Sequence, residues 1–265
     1  MMKGTLGALW HYRSFILGSV KREFQAKYLN SLLGATWSVI QPLAMILVYT
    51  VIFSQIMRAK LPGVESVFGY SIYLCAGIIT WGYFADMVGR GQNIFIENAN
   101  LLKKLSFPRF CLPLTLILSS VLNFAIIFGL FTAFLLLTDS FPGWAFLGIF
   151  PVLAIQALFA LGLGMVLGVL NVFFRDVGQL FGVVLQFWFW MTPIIYPLDI
   201  LPAAAQHLMK YNPMAILIGA YQRVLVHGLW PDWSSLWPVL LLSILLCLLA
   251  LRLFRKRYAE LMDEL

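Results

Sequence analysis

Six uncharged stretches, at residues 30–57, 66–85, 110–138, 140–174, 177–198 and 233–251, divide this chain. A helix rises about 1.5 Å per residue, so roughly 20 apolar residues cross a hydrocarbon core of about 30 Å. Each stretch is close to that length or longer, and the longer ones must include interfacial or loop residues at their ends. A single globular core cannot absorb so much continuous apolar chain. Only 11% of the residues are charged and 62% are hydrophobic, with a mean hydropathy of +0.89, whereas soluble domains carry about 25% charge. The chain therefore reads as an all-α integral membrane protein with six transmembrane helices.

The charges between these stretches set the orientation. Lys3, Arg13, Lys21, Arg22, Lys27, Arg90, Lys103, Lys104, Arg109, Arg175, Arg252, Arg255, Lys256 and Arg257 fall on one side, and Arg58, Lys60, Lys210 and Arg223 on the other. Cytoplasmic loops carry the excess of Lys and Arg, so both termini are expected in the cytoplasm. The net charge of +7 is then a topology signal with attraction to anionic lipid; nucleic acid is not needed to explain it. Between the second and third stretches lies a polar island, "ENANLLKKLSFPRF", residues 97–110, which this orientation places on the cytoplasmic side. A seventh apolar stretch, "YNPMAILIGAYQ" at 211–222, is short for a crossing and suits a re-entrant outer helix before the last span. No cleavable signal peptide is expected, because no short apolar core with a small-residue cleavage site precedes residue 30.

Before the first stretch, Leu6, Leu9, Trp10, Ile16, Leu17, Val20, Phe24 and Tyr28 recur near helical spacing. Lys21, Arg22 and Gln25 lie largely off that stripe, while Arg13 and Lys27 fall near it, where long basic chains can snorkel. This pattern predicts an amphipathic helix in the membrane interface. Pro42, Pro113 and Pro193 each remove a helical donor and invite a kink. Gly164-x-x-x-Gly168 permits close helix approach and reads as packing, not as a dinucleotide fingerprint. Cys75, Cys111 and Cys247 have no paired spacing and read as small packing residues. No internal repeat relates the two halves of the chain.

Catalysis has little to work with. His11, His207 and His227 lack metal-ligand spacing, and neither a G-x-x-x-x-G-K-[ST] phosphate loop nor a G-x-S-x-G elbow occurs. Asp86, Asp139 and Asp176 fall at the ends of apolar stretches, so they are expected to be solvated rather than to relay protons. Aromatic residues make up 15% of the chain and cluster in "FWFWMTPIIYP" (187–197) and "WPDWSSLW" (230–237). An interfacial aromatic belt explains many of them. Some rings facing a pore could instead stack on the apolar faces of sugars, and periodicity does not separate these readings.

The segments "KREFQAKYLNSLLGATWSVIQPL", "NANLLKKLSFPRFCLP" and "WFWMTPIIYP" resemble the permease subunit of ABC type-2 polysaccharide exporters. That family comprises O-antigen and capsule exporters of Gram-negative bacteria, with teichoic acid exporters as relatives. The resemblance runs over nearly the whole chain and implies one domain over 1–265. Within it, 1–29 is the interface helix, and 30–57, 66–88, 110–138, 144–172, 177–197 and 233–252 are the spans. The remaining segments are a cytoplasmic coupling loop at 89–109, an outer re-entrant segment at 198–232 and a cytoplasmic tail at 253–265. It also implies a homodimeric pore in the bacterial inner membrane, bound to two copies of a separate ATPase. That motor drives an undecaprenyl-diphosphate-linked polysaccharide from cytoplasm to periplasm. ATP and Mg would sit on the partner, with no cofactor in this chain, which agrees with the missing phosphate loop.

In that family a coupling helix between spans two and three docks in the ATPase. Here the role falls on Asn98, Leu101, Leu102, Lys103 and Lys104, closed by Phe107 and Pro108, with a second contact at Lys21, Arg22 and Phe24. Trp188, Trp190, Tyr196, Trp37 and Tyr49 are the candidates for pore or glycan contact. The alternatives are an exporter of capsule, teichoic acid, a drug or a lipid, and an intramembrane glycan transferase. A transferase needs convergent acidic or histidine residues near one membrane face, a pattern not found.

Overall fold

A computed structural model of the chain describes residues 12–27, 34–56, 61, 67–103 and 111–265. Regular structure among them is entirely helical. In chain order the helices are α1 (Arg13–Lys27), α2 (Trp37–Thr50), α3 (Gly69–Glu97), α4 (Ala99–Leu102), α5 (Cys111–Leu137), α6 (Ile149–Phe173), α7 (Asp176–Trp190), α8 (Ala203–Met209), α9 (Pro213–His227), α10 (Trp233–Lys256) and α11 (Tyr258–Glu264). A π-helical turn, Val51–Ile56, prolongs α2, and a 3-10 segment, Gly143–Gly148, leads into α6.

Among the described residues, four helices are long and apolar enough to cross a membrane: Gly69–Glu97, Cys111–Leu137, Gly143–Phe173 and Trp233–Lys256. The stretch at 30–57 holds a shorter apolar helix, Trp37–Phe53, and the stretch at 177–198 holds the 15 residues of α7. Proline placement explains some of these bounds. Pro113 sits in the first turn of α5, where a missing N–H costs no helical bond. Pro193 lies just beyond Trp190, and α7 stops before it. Pro42 is inside α2. Residues 89–97, expected in the coupling loop, instead continue α3 without a break.

The most enclosed of the four long helices is α3, packed by α6, α9 and α5, with α10 laid along the far side of α6. Glycines set the close helix–helix contacts. A Cβ at Gly168 would lie 2.6 Å from the Gly91 carbonyl oxygen, and one at Gly91 would lie 3.0 Å from the Gly164 Cα. On another face of α6, a Cβ at Gly162 would meet the Cys247 backbone nitrogen at 2.9 Å. The expectation that Gly164-x-x-x-Gly168 serves close packing therefore holds, with α3 as its mate. Between apolar helices in lipid there is no hydrophobic drive, so such contacts carry the association. The buried seam of α5 repeats at Leu112, Leu116, Ser120, Phe124, Phe128, Phe131 and Leu135, one helical face turned to the bundle.

Beyond α7 the chain folds back. The Tyr73 hydroxyl on α3 lies 3.0 Å from the carbonyl oxygens of both Pro193 and Tyr196, fixing this turn. Asn212 caps α9 by accepting from the Met214 and Ala215 N–H groups. The helix then buries Met214, Leu217, Ile218, Tyr221, Val224 and Leu225. It ends at Gly228, whose φ of 64° suits glycine at a helix C-terminus. At the other end of the bundle, Phe254 of α10 stacks on Phe95 of α3 at 5.1 Å, and Leu261 of α11 is fully buried. The first and last described helices gather at this same end.

Candidate functional site

The end of the bundle shared by α1, α4 and α11 holds the residues expected to meet a partner. Ile16 and Val20 of α1 are buried, and the helix packs along α5. The apolar stripe read in the sequence thus has a protein surface beneath it, although Leu17, counted in that stripe, is exposed. Lys21, Arg22 and Gln25 are exposed on the outer side. Arg22 donates to the Ser19 hydroxyl at 3.1 Å and lies 5.9 Å above the Phe15 ring. Phe24 is half-buried and lines a cavity of about 390 Å³ with Val20, Glu23, Asp86 and Arg90.

After α3, the Asn98 side chain donates back to the Ile94 carbonyl at 2.9 Å, and the backbone carbonyl of Asn98 accepts from the Leu101 and Leu102 N–H groups. The single turn of α4 then points its two leucines differently. Leu102 is 4% exposed and packs within this chain. Leu101 is half-buried and lines a small cavity with Phe15, Ser19 and Asn98, while Lys103 is exposed. Leu101 thus lies beside Phe15 and Ser19 of α1, and Phe24 lines a neighbouring cavity that shares Glu23, Arg90 and Glu97 with it. Lys104, Phe107 and Pro108 lie outside the described residues.

The five aromatic candidates divide. Trp188 is half-buried and turned inward. Its ring meets Phe84 at 5.4 Å and Trp81 at 6.2 Å edge-on, and its indole N–H donates to Asn212 at 2.9 Å. Asn212 in turn donates to the Thr192 hydroxyl at 3.2 Å, tying the end of α7 to the start of α9. Trp190 is 60% exposed, and its carbonyl accepts from the Tyr196 hydroxyl at 2.7 Å. Trp37 is exposed at the start of α2, and Tyr49 is half-buried against Phe53, ring centroids 6.4 Å apart. Trp190 and Tyr196 are brought together; Trp188 serves the interior.

Two features had no clear sign in the sequence. A cavity of about 550 Å³ lies between α8, α9 and the start of α10, lined by Tyr73, Gln206, Lys210, Arg223, His227 and Asp232 among others. Lys210 and Arg223, read as scattered topology charges, converge on it. Asp232 caps α10, accepting from the N–H and the hydroxyl of Ser234, and these bonds hold its carboxyl below the usual carboxylate range. The second feature is the setting of Asp86. It is not at a helix end but inside α3, where it contacts Arg90 and Ser120. Asp139 and Asp176 do lie at helix ends, in the turn after α5 and the first turn of α7. Cys75 and Cys111 are buried free thiols.

This geometry is that of a helical bundle with four apolar, membrane-length helices among the described residues and a polar end at α1, α4 and α11. The chain is 29% identical over 260 residues to the O-antigen export system permease protein RfbA of Myxococcus xanthus, covering 97% of each chain. It is 28% identical over 265 residues to a protein of the same name from Klebsiella pneumoniae, covering 98% of each. To the polysialic acid transport protein KpsM of Escherichia coli it is 20% identical over 241 residues, 89% of this chain and 90% of that one. The family model for the ABC-2 type transporter matches residues 16–226, from α1 almost to the end of α9. By that match over most of its length, the chain belongs to the ABC-2 type transporter family.

Proposed function

We propose that this chain is the membrane-spanning subunit of an ATP-driven exporter moving lipid-linked polysaccharide of the O-antigen type from cytoplasm to periplasm. The observation that carries this reading is the nearly end-to-end similarity to two permeases named for O-antigen export. A separate ATPase supplies the energy, since the chain has no phosphate loop of its own. ATP and Mg belong to that partner. The weaker similarity to the polysialic acid transport protein KpsM makes another polysaccharide the second reading; nothing comparable supports a drug, a lipid or a transferase role.

The working arrangement has six spans, with α2 and α7 joining the four longer helices, and the α8–α9 segment dipping back from the outer face. At about 1.5 Å per residue α7 covers roughly 22 Å, so flanking residues complete its crossing. A single bundle of this kind, without an internal repeat, is a poor container for a glycan. We place two copies about a two-fold axis. The exposed apolar faces of α2 (Ile40, Leu43, Leu47) and α7 (Leu180, Val183, Phe187) support a partner or lipid there. Trp190, Tyr196 and Trp37 are the aromatic candidates nearest such surfaces, and Asn98, Leu101, Lys103, Lys21, Arg22 and Phe24 form the motor contact. In this reading both termini are cytoplasmic and the membrane is the bacterial inner membrane.

Co-expression with the proposed ATPase subunit tests the assembly. Two copies of each chain are expected, and the pair should export glycan in an ATP-dependent manner. A stable one-to-one complex that still transports would refute the two-fold pore.

A further inference from the structure

One guanidinium joins three helices at the motor-facing end. Arg90 lies two turns before the end of α3. Its Nη2 contacts the Glu23 carboxylate of α1 at 2.5 Å and the Ser119 hydroxyl of α5 at 2.7 Å. Its Nη1 reaches the Ser120 hydroxyl of α5 at 3.1 Å and the Asp86 carboxylate, one turn back on α3, at 3.7 Å. Ser120 also donates to Asp86 at 3.2 Å, so the group is closed on itself. The planar fork of arginine matches such a spread of acceptors, and a lysine ammonium does not.

The Arg90 and Glu23 side chains are 34% and 44% exposed, so the tie sits at the rim of the bundle, where α1 meets α3 and α5. A mere topology charge needs no acceptors on two other helices. Glu23 is flanked on α1 by the exposed Lys21, Arg22 and Gln25 on one side and by the half-buried Phe24 on the other. A partner that moves the outer face of α1 therefore pulls on Glu23. Ile16 and Val20 of α1 are also buried, where the helix packs along α5, and apolar contacts slide more freely than a forked ion pair.

We infer that Arg90 is a positioning residue that makes α1 move together with α3 and α5, so that displacement of α1 by the motor reaches the spans. The inference rests on the reading of α1 as a motor contact. Without the tie, the motor still binds and hydrolyses ATP, but its stroke is lost between α1 and α3.

The test uses the co-purified complex of this chain with the proposed ATPase subunit, in vesicles supplied with lipid-linked glycan. Arg90→Gln and Glu23→Gln should each lower glycan exported per ATP hydrolysed by about five-fold or more, the low end of ordinary coupling between sites. ATP hydrolysis itself should persist. The double variant should be no worse than either single one, because both remove the same link. Arg90→Lys should fall between, retaining the charge and losing the fork. A residue that only stabilises the fold would reduce inserted protein and leave export per ATP unchanged; that result overturns the inference, as does an additive double variant.

A second measurement needs no motor. A nitroxide on Gln25→Cys should gain mobility in the Glu23→Gln and Arg90→Gln backgrounds, and an unchanged spectrum would overturn the inference. If the unaltered complex exports no glycan, the proposed function fails, and the nitroxide still decides whether Arg90 holds α1.

Discussion

Gly168→Ala perturbs the closest contact between the two most intimately packed helices around α3. The added Cβ would sit 2.6 Å from the Gly91 carbonyl oxygen and 3.3 Å from the Phe95 ring. A carbon–oxygen contact relaxes to about 3.3 Å or more, so a retreat of roughly 0.7 Å is needed. The ring can turn aside, but the carbonyl belongs to the backbone of α3 and cannot. Relief comes only from moving α3 and α6 apart, which also weakens every dispersion contact along the crossing. Overpacking of this kind costs about 1–3 kcal/mol. Helix propensity offsets part of it, since alanine is favoured over glycine by roughly 1 kcal/mol. Gly89→Ala on α3 is the control, because nothing lies within 4 Å of its added Cβ. Both variants gain the same propensity, so their difference isolates the clash. In a chain of this size it corresponds to about 2–12 °C in melting temperature. Thermal unfolding of the two purified variants in one detergent measures it, and equal melting temperatures would refute the packing argument.

Other outcomes follow from where single side chains lie. Leu101→Ala should weaken ATPase co-purification about ten-fold while the chain inserts normally. Leu102→Ala should instead cost about 2–5 kcal/mol of fold stability, because that leucine is buried in its own chain. Lys103→Glu should act more weakly than Leu101→Ala and fade at high salt; full ATPase retention by Leu101→Ala at both salts would remove α4 from the docking surface. Trp188→Ala should lower stability by about 3–5 kcal/mol. Trp190→Ala should leave stability nearly unchanged and slow export per inserted molecule, and normal export would make that ring a lipid anchor. Asp232 has a folded-state pKa below its unfolded value, so its contribution is present above the unfolded pKa and is lost as pH falls through the folded one. Asp232→Asn should lower the melting temperature slightly near neutral pH and have no effect at the acid end; an equal loss at every pH would contradict this.

Much of this arrangement was legible in the sequence for identifiable reasons. Gly164 and Gly168 mark one face of a helix, and small residues on one face encode close approach wherever their mate lies. The mate, Gly91, was not legible, since a lone glycine in α3 carries no pattern. The end of α3 was misread because hydropathy treats Asp86 and Arg90 as the edge of the membrane. In the fold these residues face each other at i and i+4 and share Ser120 of α5, and the helix runs on to Glu97. Leu101 and Leu102 look equivalent in sequence, yet neighbours on a helix point about 100° apart, and only one of them can face outward. Trp188 and Trp190 are two positions apart on α7 and separate for the same reason. The stripe of α1 was visible, but nothing in it named α5 as the surface beneath.

The central claim is that this chain moves glycan only when joined to a separate motor. The direct measurement is entry of a fluorescent lipid-linked oligosaccharide into sealed vesicles, scored by protection from an external glycosidase. Vesicles with this chain and its ATPase should show protection that grows with ATP hydrolysis, and vesicles with either chain alone should show none. Protection of equal extent in vesicles holding this chain alone, or its absence in a complex that hydrolyses ATP and carries unaltered Arg90 and Glu23, would contradict the account.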